Sequence, residues 1–319
     1  NLNTMDKGIA DAHSQLAEAA QMSVASNRAV ISDRRDRNGR RPMITIIDDD
    51  CRAEVMTKWV PILANKEFKL GLACITNSIG QPSYMTWDDI KNINANPKVE
   101  ILNHTANHPY LANLSEQEID AELEESVETL REHGINTNAL VYPYGSSDIK
   151  VFRALKKYFN VGVMDHGGLN TPPVNSYNIK RYAMMSSDAE MQPIGHFKQQ
   201  IDDAVEKNGW LVYMTHSQWS TFDIEKIKQI IDYANTKGME WVHVEEGYRN
   251  IGNIIEIGYP DVSNESNTIS NYTVIDSENY WVSDKNILLN TVGNNTIKEN
   301  TLQADIPYRL TIASFYGAE

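Results

Sequence analysis

Residues 43–50 read Met43-Ile44-Thr45-Ile46-Ile47-Asp48-Asp49-Asp50, an apolar, β-branched run that passes directly into three carboxylates. A run of this length reads as a buried strand. The same grammar recurs at 68–76, 99–103, 139–142, 160–164, 179–184, 210–215 and 241–244. Helical spacing fills most of the gaps, at 54–64, 115–133, 148–158, 194–208 and 223–237. The helix at 115–133 opens on a capping box, Ser115-x-x-Glu118, and Gly134 stops it. Repeated β-α units build a parallel sheet covered by helices. Seven or eight of them predict an α/β fold that closes, or nearly closes, into a barrel.

The flanks differ from this body. Leu2, Met5, Ile9, Ala12, Leu16 and Ala19 form a heptad-like seam, read either as a weak coiled coil or as a helix lying on the same chain. Asp33 to Pro42 is too polar to bury and reads as a linker. Beyond residue 250, Asn, Ser and Thr supply 22 of 69 residues, short alternations replace helical spacing, and a small β domain is expected. The expected organisation is an N-terminal helix and linker (1–41), the β-α body (42–250) and a β-rich appendage (251–319).

Composition narrows the partners. Lys and Arg total 29 against 43 Asp and Glu, a net charge of −14, which repels nucleic acid and anionic membranes. No 18-residue apolar run occurs, so no transmembrane helix is expected. Cys51 and Cys74 allow at most one disulfide. The chain begins with Asn1, as a fragment or processed product would, and carries no information on export.

In parallel α/β architectures chemistry collects where strands end. After 43–47 stand Asp48, Asp49 and Asp50, whose mutual repulsion a bound cation would relieve; a solvated acidic turn is the competing reading. After 99–103 stands His104-Thr105-Ala106-Asn107-His108. Two imidazoles four residues apart, with a carboxylate from the first strand end, would make a His-His-Asp set with an open position, as in catalytic zinc sites. After 139–142 comes Pro143-Tyr144-Gly145, a tight turn that can aim a backbone N–H into a site. After 210–215 comes His216, read as a general acid or as a partly buried histidine bonded to backbone. Arg181, inside an apolar run, calls for a carboxylate partner among Asp48–Asp50.

The order Asp-Asp, His-x-x-x-His, Pro-Tyr-Gly and a strand ending in His resembles the polysaccharide deacetylases of carbohydrate esterase family 4, the NodB-homology domain, over about residues 42–250. The motif Thr-Phe-Asp-Asp-Gly looks like Ile46-Ile47-Asp48-Asp49-Asp50, and Leu-x-His looks like Met214-Thr215-His216. Two departures stand out: Asp50 occupies the usual Gly position, and Val141 stands where many members carry Arg.

The resemblance implies a distorted (β/α)7-8 barrel and a divalent metal, zinc first, with cobalt, nickel and manganese as rivals. Its ligands would be Asp49, His104 and His108. Asp48 would be the general base, held by Arg181; His216 would protonate the leaving amine; the Tyr144 N–H would face the oxyanion. Leu211, Met214 and Trp219, on position alone, would wall the acetyl or sugar pocket. The implied substrate is an N-acetylated bacterial glycan. Poly-N-acetylglucosamine stands first because of Tyr142-Pro143-Tyr144-Gly145; peptidoglycan, teichoic-acid sugars, chitin-like oligomers and O-acetyl esters are rivals. A turnover-deficient carbohydrate-binding scaffold and a purely structural tail protein are the readings from other classes. With the helical start and β-rich end, the chain looks like a bacteriophage tail-associated protein, trimeric through residues 1–30. A secreted or surface-attached bacterial enzyme is the alternative.

Overall fold

The computed structural model describes residues 29–32, 41–171, 174–251, 254–257, 268–270, 288–289 and 295–298. The heptad-like seam, most of the expected linker and most of the β-rich appendage lie outside the described residues.

In chain order the elements are β1 (Ala29–Ser32), β2 (Met43–Asp49), α1 (Glu54–Lys58), α2 (Val60–Leu63), β3 (Leu70–Cys74), α3 (Trp87–Asn94), β4 (Val99–Asn103) and α4 (Glu116–Glu132). They continue with β5 (Ala139–Val141), α5 (Ile149–Tyr158), β6 (Val161–Val163), β7 (Val174–Asn175), β8 (Tyr182–Ala183), α6 (Ile194–Glu206) and β9 (Trp210–Thr215). After these come α7 (Ile224–Thr236), β10 (Glu240–Trp241), α8 (Val244–Asn250) and β11 (Ile254–Ile257). Seven strands form one parallel sheet, ordered β6-β5-β4-β3-β2-β9-β8 and curled into a half-barrel, with short β10 pairing the start of β2. This is the α/β barrel architecture that the repeated β-α units require.

Strand β2 lies inside the sheet, in register with β3 on one side and β9 on the other (Ile46 opposite Leu70, Asp48 opposite Thr215). All seven of its residues are buried. Burial on both faces is why its sequence is continuously apolar instead of alternating. Helices cover the sheet: Ile227, Ile230, Ile231 and Ala234 of α7 and Phe197, Ile201 and Ala204 of α6 pack into the same core cluster as Ile44 and Leu211. The capping box at Ser115 is present, its hydroxyl accepting the Glu118 N–H.

Several elements differ from expectation. The helix read at 54–64 is two short ones, broken at Trp59 ahead of Pro61. The strand read at 179–184 shrinks to two residues. Helix α3 was not read at all, although Thr86 and Asp89 form a capping box at its start. Ala29–Ser32, within the stretch read as helix and linker, is a strand: β1 pairs antiparallel with β11, which pairs parallel with β7. A separate three-stranded sheet joins Thr268–Ser270, Leu288–Leu289 and Asn295–Lys298, in the zone read as β-rich. Among the described residues no helix is long and apolar enough to cross a membrane.

Candidate active site

The three carboxylates that follow the β2 apolar run have three different fates. Side chains alternate along a strand, so Asp48 and Asp49 face opposite ways. Asp48 points into the protein and is fully buried. Its Oδ2 accepts hydrogen bonds from Trp59 Nε1 (2.9 Å), Thr215 Oγ1 (2.8 Å) and the Ser217 N–H (2.9 Å), and its Oδ1 from Ser217 Oγ (2.8 Å). Burial pushes its carboxyl up to about 7 against these bonds. Asp49 faces the barrel mouth. Arg181 grips both its oxygens at 2.7 Å, with Arg181 Nε donating to the Met164 carbonyl (2.6 Å). Burial acts to raise the Asp49 carboxyl, but the guanidinium charge and its two hydrogen bonds win and hold it well below the usual carboxylate range.

Asp50 breaks the alternation. It and Cys51 have positive φ (78° and 52°), a left-handed turn that sends the Asp50 carboxylate back toward the same mouth as Asp49. Gln218 Nε2 donates to Asp50 Oδ2 (2.7 Å), while Oδ1 is buried without a hydrogen-bond partner. That orphaned oxygen lies 3.7 Å from Nε2 of both His104 and His108. Cys51 is disulfide-bonded to Cys74 at the end of β3, with Cα atoms 4.9 Å apart.

The two histidines are held by a clamped loop. His104 Nδ1 donates to the Val141 carbonyl (2.7 Å), which leaves Nε2 as the lone-pair nitrogen of a neutral ring. Burial pushes His104 down to about 3 and also lowers His108, so both rings are neutral near pH 7. Thr105 and His108 take positive φ (66° and 60°). Asn103 Oδ1 accepts the Thr105 N–H (2.8 Å), and Thr105 Oγ1 accepts the His108 N–H (2.9 Å). Glu122 of α4 accepts both the backbone and the side-chain N–H of Asn107, between the two rings. The result places His104 Nε2 3.0 Å from His108 Nε2.

Asp50, His104 and His108 offer one ligand atom each, all within 4.8 Å of one another. Two neutral imidazole nitrogens and an unpartnered carboxylate oxygen fit a zinc-type ion. The structure therefore shifts the expected roles by one residue: Asp50 offers its free oxygen to both histidines, whereas Asp49, 4.0 Å from His104 Nε2 alone, has both oxygens taken by Arg181, which thus holds Asp49, not Asp48. Period-two alternation is the reason, since Asp48 and Asp49 cannot both face the mouth.

A cavity of about 500 Å³ gathers Asp49, Asp50, His104, His108, Arg181 and His216. Asp48 is not among its lining residues. His216, directly after β9, lies flat on Trp219 (centroids 3.8 Å apart, planes 2° apart), with its Nδ1 buried and unbonded. Burial lowers its pKa, while the Asp49 and Asp50 charges oppose that. Met214 and Trp219 line the cavity as expected. Leu211 does not. It is fully buried in the core beside Ile44, near the start of β9 and far from the strand end where the mouth lies. Tyr144 sits in a left-handed turn (φ 57°) at the rim, half exposed, its ring stacked on Tyr110 (4.0 Å) and edge-on to His108 (4.5 Å). Gly145 beside it admits no side chain, because a Cβ there would meet the Asp165 carboxylate at 1.9 Å. Asp165 also lines the cavity and had no sequence signal beyond its place after a strand. Gln218 and Glu122 were likewise unread, because each acts through a contact remote in sequence.

A family model described as polysaccharide deacetylase matches residues 36–160, which take in Asp48–Asp50, His104, His108 and Tyr144 but end before Arg181 and His216. No curated protein matches the chain. Among solved structures, the chain is similar to the Streptococcus pyogenes deacetylase PplD in complex with acetate at 22% identity and TM-score 0.41, over 43% of this chain and 62% of that one. The match thus spans less than two thirds of that protein. It is similar to the BpsB deacetylase domain of Bordetella bronchiseptica at 21% identity and TM-score 0.41, over 43% and 69% of the two chains. The Xyl-CE4 domain of a multidomain xylanase from the hindgut metagenome of Trinervitermes trinervoides matches at 14% identity and TM-score 0.47, over 65% and 90%.

Proposed function

We propose that this chain is a metal-dependent polysaccharide deacetylase that hydrolyses N-acetyl groups on an N-acetylglucosamine-containing glycan. The observation that carries the reading is the convergence, in one cavity, of the Asp50-His104-His108 triad with the Arg181-held Asp49 and with His216. The family model over residues 36–160 supports it.

A divalent ion held by Asp50, His104 and His108 would polarise the acetyl carbonyl and acidify a water molecule. Asp49, kept ionised by Arg181 and fixed through both its oxygens, would accept the proton of the attacking water. The backbone of Tyr144 frames the side where the oxyanion develops. His216 hands a proton to the departing amine; burial lowers its pKa, which makes it a ready donor, and the charges of Asp49 and Asp50 partly offset that lowering. Met214 and Trp219 exclude water around the acetyl methyl. Asp49 must be ionised and His216 protonated in the same turnover, which gives a bell-shaped pH–rate profile.

Poly-N-acetylglucosamine is the first substrate to try. The setting, a phage tail or bacterial-surface assembly that is trimeric through the N-terminal residues, is proposed on the sequence alone. The test is acetate release from poly-N-acetylglucosamine by chelator-stripped protein, with and without added zinc. Release restored by zinc is expected. Zinc bound in the triad with no acetate released from this polymer, peptidoglycan or chitin oligomers would make the chain a binding scaffold instead.

A further inference from the structure

We propose that Asp48 is a positioning residue whose work is to hold the segment carrying His216, and that it takes no part in proton transfer; this rests on the deacetylase reading above. Three of the four donors on Asp48 belong to the two residues flanking His216: the hydroxyl of Thr215, which ends β9, and the N–H and hydroxyl of Ser217. One carboxylate therefore grips the chain on both sides of the histidine. The fourth donor, Trp59 Nε1, ties the carboxylate to the chain between α1 and α2. Lys58 Nζ secures the same segment by donating to the Ser217 carbonyl (2.6 Å). The His216 ring itself finds no side-chain or backbone partner for Nδ1. What orients it is the path of its backbone and the Trp219 ring against which it lies. The brace reaches the triad as well, because Gln218, next in the segment, orients Asp50.

The polarity of the bonds makes this separable from a base role. Three donors converge on Oδ2, two of them N–H groups that cannot reverse, whereas Oδ1 meets only the Ser217 hydroxyl, which can turn and accept. Asparagine at 48, with its oxygen in the Oδ2 place and its amide donating to Ser217 Oγ, satisfies every partner. It would preserve a brace and destroy a base. Alanine would remove the brace and leave Trp59 Nε1 and the Ser217 N–H unsatisfied.

The experiment compares Asp48→Asn, Asp48→Ala and Asp49→Asn in the full chain. It records kcat, KM and the alkaline limb of the pH profile. It also records the His216 imidazole proton resonance, assigned by its loss in His216→Gln. Stacking on Trp219 shifts that resonance upfield, a readout independent of turnover. Asp48→Asn is expected to keep the upfield shift and to hold kcat within about threefold of wild type, the scale of one altered hydrogen bond. Asp48→Ala is expected to lose the upfield shift and to lower kcat on the order of 10²-fold with KM little changed, the cost of a misplaced catalytic group. Should Asp48→Ala fail to fold, Thr215→Val combined with Ser217→Ala removes the two hydroxyl bonds of the four, leaving the Trp59 and Ser217 N–H bonds, and is expected to move the resonance in the same direction. Loss of turnover in Asp48→Asn equal to that in Asp49→Asn would overturn the proposal, as would an unchanged resonance in the brace-deficient variant. If wild type releases no acetate, the deacetylase reading fails, and the resonance alone still decides whether Asp48 holds His216.

Discussion

Arg181→Met tests how Asp49 is kept ionised. The pair is almost wholly buried, with side chains 1% and 3% exposed and both guanidinium-to-carboxylate contacts at 2.7 Å. Removing one partner of such a pair strands the other charge, at about 3–5 kcal/mol. At two to four degrees per kcal/mol for a domain of this size, Tm should fall by roughly 6–20 °C at pH 7.5. The sign with pH follows from the two states of Asp49. In the wild type its carboxyl is held low, so the pair's stabilisation is present above the ordinary carboxylate range and fades as pH falls through the depressed value. In Arg181→Met burial acts without the guanidinium's opposition and raises the same carboxyl, so the variant is penalised as pH rises and relieved in acid. The Tm gap should therefore be widest near neutrality and narrow toward pH 4. Adding Asp49→Asn to Arg181→Met should recover stability without recovering turnover, because the stranded charge is gone. Differential scanning calorimetry of the four-member cycle across pH is the assay. A gap that does not narrow in acid, or a double variant no more stable than Arg181→Met, would refute the view that a buried, uncompensated carboxylate is the source of the loss.

Other predictions follow from the same geometry. Asp50→Asn should weaken zinc binding by more than the ~10–100-fold typical of losing an outer-shell contact, while Asp49→Asn should leave the metal bound, as competition with a chromogenic chelator would show. Zinc affinity lost with Asp49→Asn and kept with Asp50→Asn would restore the unshifted ligand set. On β4, Glu100 accepts the Val244 and Glu245 N–H groups at the start of α8, and burial pushes its carboxyl up to about 7. A raised carboxyl stabilises the fold below its ordinary value of 4.5 and loses that advantage as pH climbs toward 7. Glu100→Gln should therefore flatten the decline in Tm between pH 5 and 7.5, and an unchanged slope would discount Glu100 as its source.

Fold and site were unequally legible in the sequence. The strands were readable because a doubly covered parallel strand is an unbroken apolar run, and β2, β4 and β9 end within two residues of where that pattern stops. Length decided less well at β8, where two residues of ladder lie within a six-residue apolar stretch. The cluster of acids, the two histidines, Arg181 and His216 were all visible as strand-end residues. Their pairing was not. Which aspartate meets the metal depends on the positive φ of Asp50, and a run of three identical residues carries no mark of where the backbone turns. Leu211 failed for the complementary reason: it shares a strand with Met214, but lies near the end remote from the mouth. Gln218 and Glu122 bond to loops 168 and 15 residues away, a relation that only the folded chain reveals.

Because the carboxylates continue directly from the strand with neighbours on both sides and a third ladder at its start, the site has little motion of its own. Local openings free edges and loops first, and amides at the centre of a sheet exchange with solvent only when the whole domain opens. The backbone carrying Asp48 and Asp49 should therefore be among the slowest-exchanging parts of the molecule. Heating or denaturant would not loosen the acids gradually ahead of collapse: the catalytic geometry and the fold would be lost in one cooperative step.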